Sequence, residues 1–139
     1  MKILHVITTL DPAAGGPPFV VSRLAAAQAS LGHEVHIASY QKTDAIPRIQ
    51  SLWKPVPAHH LVHQHIIATG TRLERFFPRA AADGLDPLIP TMSIVHLHGL
   101  WDPILQTAAN IFDLVYKGDG GIVVSLARAE RSPRAHDDQ

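Results

Sequence analysis

Ser93-Ile94-Val95-His96-Leu97-His98-Gly99-Leu100-Trp101-Asp102-Pro103-Ile104-Leu105 has the pattern of a buried strand that stops at a polar loop and restarts as a helix. Ile94, Val95 and Leu97 make a β-branched, apolar strand that stops at a polar loop. Gly99 permits a turn, Asp102 suits a helix cap and Pro103 suits the first helical position. A strand, a tight loop and a helix in that order belong to an open α/β sheet, whose ligands sit in the crevice outside the carboxyl ends of the strands. His96, His98 and Trp101 fall at such an end, which makes His98 and its neighbours site candidates.

At the amino terminus, Ile3 to Ile7 is a nearly continuous apolar run, the pattern of a parallel strand covered on both faces. Its loop contains Gly15-Gly16, able to bring backbone N–H groups close to a phosphate or sugar. Neither Gly-x-Gly-x-x-Gly nor Gly-x-x-x-x-Gly-Lys occurs, so dinucleotide and Walker fingerprints are absent. From Pro17 a helix is expected to bury the stripe Val20, Leu24, Ala27 and Leu31 and to end at Gly32. Val35 and Ile37 share one face of a second strand, with His33 in a turn and His36 on a partly exposed face.

Tyr40 to Ala58 contains Pro47, Pro55 and Pro57 and is expected to be an irregular connection or a short element whose place the residues do not fix. His59 to Ala68 can form a strand. Its histidines invite a metal reading, but no acidic neighbour in sequence completes a set, and a solvated edge is expected. Thr71 to Ala82 predicts a helix with Leu73, Phe76, Phe77 and Ala80 as its apolar face, interrupted by Asp83-Gly84-Leu85-Asp86-Pro87. After Pro103 a helix carries Ile104, Ala108, Phe112 and Val115 on one stripe and stops at Gly118. Ile122 to Ser125 is expected to be a strand. The expected organisation is one Rossmann-like domain over residues 1–127, a parallel sheet flanked by helices, and a frayed polar tail over 128–139.

The chain has 139 residues, 46% of them hydrophobic, enough for one domain with a sizeable core. Twelve basic and twelve acidic residues cancel, giving no field that would draw nucleic acid, which is excluded as an expected partner. The absence of cysteine removes disulfides, thiolate metal sites and cysteine nucleophiles, and is compatible with a cytoplasmic setting. The amino-terminal apolar run is too short for a secretory core, and any membrane association is expected to be peripheral.

The opening Met1-Lys2-Ile3-Leu4-His5-Val6, the loop Gly15-Gly16, the helix followed by Gly32-His33-Glu34-Val35, and Val95-His96-Leu97-His98-Gly99-Leu100-Trp101 together resemble the amino-terminal domain of glycosyltransferase family 4. Those enzymes are retaining nucleotide-sugar transferases with two facing Rossmann-like domains, the GT-B architecture. The resemblance implies that this chain is the acceptor-side half of such an enzyme, with transfer to a saccharide or lipid-linked acceptor in polysaccharide synthesis. It also implies no metal and no cofactor beyond the donor substrate.

By the same resemblance, Gly15 and Gly16 would line the cleft near the donor diphosphate or acceptor. His98, Gly99 and Trp101 would form its acceptor side, and His96 would be structural. Similar sequences continue after the last strand with Ser-Pro-Arg-Gly, whereas this chain reads Ser125-Leu126-Ala127-Arg128, so that cleft arginine is not carried over. The later Ser132-Pro133-Arg134 is not assigned its role. The family's donor-binding domain is not represented, the chain is expected to be truncated and inactive alone, and no catalytic residue is assigned. Two other readings stay open: a non-catalytic subunit docking a separate donor-binding chain, and a metal-dependent hydrolase built on His96 and His98.

Overall fold

A computed structural model describes residues 1–69, 72–99 and 102–116. The strands β1 (Lys2–Thr9), β2 (Glu34–Gln41), β3 (Val62–Ala68) and β4 (Ile94–His98) form one parallel sheet in the order β3-β2-β1-β4. The helices are α1 (Gly16–Ser30), α2 (Ile46–Trp53), α3 (Arg79–Leu85) and α4 (Pro103–Tyr116). The protein is therefore an α/β fold, Rossmann-like, with helices flanking a parallel sheet. Trp101, Gly118, the expected strand Ile122 to Ser125 and the tail 128–139 lie outside the described residues.

Alternation along each strand divides the core into two layers. Leu4, Val6, Ala38 and Leu97 face α3 and α4, meeting Leu85 and Ile104. Ile7, Val35 and Ile37 face α1 and α2, meeting Val21, Ile49 and Trp53. Each fully buried aliphatic side chain contributes about 1.5–3 kcal/mol relative to exposure. Two hydrogen bonds between Lys2 and Ser93 fasten the amino ends of β1 and β4: the Ser93 N–H donates to Lys2 O at 2.8 Å, and the Lys2 N–H donates to Ser93 Oγ at 3.2 Å. The chain turns back between β3 and β4, so the topological switch falls between β1 and β4.

Several local expectations are corrected. The buried face of α1 is Val21, Ser22, Ala25, Ala26 and Ala29, while Val20 and Leu31 are 60% and 78% exposed. Small side chains let α1 approach the sheet closely, and that close approach outranks the bulkier stripe. Of the two alternatives for residues 40–58 the structure has the short element: after a 3-10 turn at Thr43–Ala45, α2 places Ile49, Leu52 and Trp53 in the core. Pro47 occupies an opening position of α2, where its missing N–H costs nothing, and Pro55 follows its end.

Strand β3 begins at Val62, because His59–Leu61 form a 3-10 turn in which the His59 ring nitrogen Nδ1 donates to Val56 O at 2.8 Å. The helix expected over 71–82 is instead a 3-10 turn at Arg72–Arg75 followed by α3, and Phe76 and Phe77 are 74% and 71% exposed. Glu74 organises this break by accepting the N–H groups of Ala80 and Ala81 at 3.1 and 3.0 Å. Gly84 does not interrupt α3. A Cβ there would lie 3.1 Å from Ile67, so glycine gives clearance between helix and strand. In α4, Ile104, Leu105, Ala108 and Ile111 are buried, whereas Val115 is exposed.

Candidate functional site

The carboxyl ends of β1 and β4 flank the switch point, and the two glycine loops leave from them. After β1, Asp11 caps a 3-10 turn at Pro12–Ala14 through its Oδ1, which accepts the Ala13 N–H at 3.0 Å. The Arg48 guanidinium of α2 grips the same carboxylate with two bonds, 2.9 and 2.6 Å long. That fork and the Ala13 N–H hold the Asp11 carboxyl down at about 2. Gly15 then adopts φ +100°, a backbone conformation that disfavours side chains, and Gly16 opens α1. An added Cβ at either glycine would meet nothing within 4 Å, so both backbones face open space.

After β4, Gly99 adopts φ +128°, and a Cβ there would stand 2.9 Å from Leu105 Cδ1. Glycine is needed for both conformation and space. Asp102 O accepts the N–H groups of Leu105 and Gln106, starting α4, while its carboxylate accepts the Thr8 hydroxyl at 2.7 Å. This bond ties the end of β1 to the entrance of α4 across the switch point. A cavity of about 280 Å³ opens at the strand ends, lined by Thr8, Tyr40, Lys42, Glu74 and Asp102 among others. Burial and the Glu74 carboxylate push the Tyr40 phenol up, and its hydroxyl donates to Glu74 at 3.1 Å. A larger cavity of about 380 Å³ beside β4 and α4 is lined mainly by apolar groups such as Val95, Leu97 and Phe112.

His98 is half-buried at the end of β4, and the structure gives it a partner absent from the sequence reading, His5 of β1. Parallel register sets His5 beside His96 and Ile7 beside His98, so all three imidazoles lie on the α1 face. The nitrogens His5 Nδ1 and His98 Nε2 are 2.9 Å apart, and His5 Nε2 lies 2.7 Å from Gln28 Oε1 on α1. Since Gln28 Oε1 only accepts, His5 Nε2 carries the proton and His98 Nε2–H donates to His5 Nδ1. His5 has no exposed surface. Burial lowers it to about 4 despite the Gln28 bond, and burial with His5 and His96 nearby lowers His98 to about 4. Burial also lowers His96, whose ring meets that of His5 edge-on at 5.1 Å. All three are therefore neutral at pH 7.

A second histidine group lies on the opposite face, toward the amino ends of β2 and β3. His36, expected to be partly exposed, is buried, its Nε2 donating to Glu34 Oε1 at 3.0 Å and its Nδ1 lying 2.8 Å from His65 Nε2. His63 stacks on His36 with centroids 4.8 Å apart. β3 is an edge strand among the described residues, as expected for the histidine-rich stretch, and His63 is exposed.

The structure thus places Gly15 and Gly16 in the loop after β1, and His98 and Gly99 in the loop after β4. Trp101 is not described. His5 and Gln28 escaped the sequence reading, although a histidine inside an otherwise apolar central strand was a signal. No family model, curated protein or solved structure matches this chain.

Proposed function

We propose that this chain is the acceptor-side half of a retaining, nucleotide-sugar-dependent glycosyltransferase, with its cleft between the loop carrying Gly15 and Gly16 and the loop carrying His98 and Gly99. One observation carries the reading: both loops leave the carboxyl ends of strands adjoining the topological switch, and Thr8 and Asp102 tie them together there. The open space before Gly15 and Gly16 admits a phosphate or a sugar to the backbone, and His98 offers a neutral imidazole at the carboxyl end of β4. A donor-binding domain or chain would face this cleft and supply the groups that stabilise the departing diphosphate, usually the largest catalytic contribution. Transfer to a saccharide or lipid-linked acceptor at the cytoplasmic face of a membrane fits this reading. Among the described residues no helix is long and apolar enough to cross one.

The test is amide and imidazole chemical-shift mapping of the whole chain with nucleotide sugars and oligosaccharides. Acceptor saccharides are expected to shift Gly15, Gly16, His98 and Gly99, and His98→Ala is expected to weaken their binding about tenfold while His63→Ala leaves it unchanged. The chain alone is expected not to transfer or hydrolyse any nucleotide sugar above a vector-only control. Shifts confined to the His36 and His63 face, or turnover by the chain alone, would overturn the reading.

A further inference from the structure

We infer that His5, His96 and His98 form a binding site for one divalent transition-metal ion of the zinc class, with Gln28 as its orienting partner. The site does not depend on the glycosyl-transfer reading and is tested without reference to it. Its geometry starts from the backbone: β1 and β4 are adjacent parallel strands, so the register that pairs His5 with His96 also sets His98 one pleat further on the same face. One nitrogen from each imidazole lies within 4.8 Å of the other two. Zinc–nitrogen bonds of about 2.0–2.1 Å at tetrahedral angles require nitrogens roughly 3.3 Å apart. The His5 and His98 nitrogens, now 2.9 Å apart, need only spread slightly, and His96 needs to swing in.

The hydrogen-bond polarity also matches. A metal-bound histidine characteristically donates its second ring N–H to a carbonyl or carboxylate, which fixes its tautomer and leaves the other nitrogen free to bind. Gln28 Oε1 already accepts from His5 Nε2, leaving the Nδ1 lone pair directed at His98. Entry of a metal replaces one hydrogen bond, His98 to His5, with coordination at both nitrogens, the His98 proton moving from Nε2 to its own Nδ1 by exchange through solvent so that the imidazole stays neutral. His5 is fully buried, while His96 and His98 keep partial exposure and give the ion an approach. Three neutral nitrogen ligands leave a fourth position for water. That donor set favours zinc, copper or nickel over magnesium or calcium, which take oxygen ligands. The His36, His63 and His65 group is the natural control. His36 bonds His65 and Glu34 while His63 stacks on the His36 ring, and among the described residues this group does not converge as a set of three.

The full chain, stripped with a chelator, is titrated with zinc chloride against a chromophoric competitor at pH 7.5. One equivalent is expected to bind. His96→Ala and His98→Asn are each expected to weaken binding at least tenfold, Gln28→Leu by about 10- to 100-fold, and His63→Ala not at all. Cobalt(II) is expected to give a visible nitrogen-ligand band that His98→Asn abolishes. Gln28 lies outside the ligand set, so its variant tests the site even if a ligand variant fails to fold. Absence of stoichiometric zinc, or binding that survives His96→Ala and His98→Asn but is lost in His63→Ala, overturns the inference.

Discussion

Gly99 and Gly16 are both glycines beside the cleft, yet their environments differ enough to give opposite responses to alanine. At Gly99 the positive φ and the Leu105 methyl 2.9 Å from a Cβ act together. Gly99→Ala is expected to lower stability by about 1–3 kcal/mol, read as a fall in the urea midpoint. Gly16 is helical with open space around it, so Gly16→Ala is expected to be neutral or slightly stabilising. At Asp11 the expectation concerns pH. Its carboxyl is held at about 2 against an ordinary 3.8, so its contribution to stability is complete above 3.8 and lost as pH falls toward 2. Arg48→Ala is expected to move the Asp11 titration, followed by carboxyl-carbon NMR, upward toward 3.8; an unmoved titration would mean that the fork does not hold in solution. At this scale His98 and Gly99 were legible because strand ends announce themselves. His5 was not, because its role depends on which strand lies next to β1, and pairing is not written in any single segment.

Among the elements, the strands were the most legible, since β1, β2 and β4 are short, apolar and bounded by clear turns. The helices were legible in existence but not in phase. For α1, hydropathy favoured Val20, Leu24 and Leu31, while the sheet accepted the narrower face around Ala25 and Ala26. Ala26→Leu is therefore expected to overpack the layer between α1 and the sheet and cost about 1–3 kcal/mol. Val20→Ser is expected to stay within about 0.5 kcal/mol of the parent chain. Equal midpoints for the two variants in urea denaturation would reverse the assignment of faces. The start of α3 was hidden for a different reason. Its cap comes from Glu74, five residues before the helix begins, so no local N-cap pattern marks the boundary.

For the whole molecule, the order β3-β2-β1-β4 makes β1 the hub: one edge pairs with the next strand in sequence and the other with the last described one. His5 and His98, in contact across that second edge, are 93 residues apart in the chain. A β-α-β unit of β1, α1 and β2 can close early, but the remaining edge of β1 has to wait for β4. At synthesis rates of about 5–20 residues per second, the interval is on the order of 5–20 s. Throughout that time β1, with its buried Ile3, Leu4, Val6 and Ile7, offers unpaired backbone groups to any neighbouring strand, including β4 of another nascent copy. Strand exchange between chains on one polysome is thus the characteristic hazard of this topology. The pairing of His5 with His98 within a single chain marks the moment at which that hazard ends.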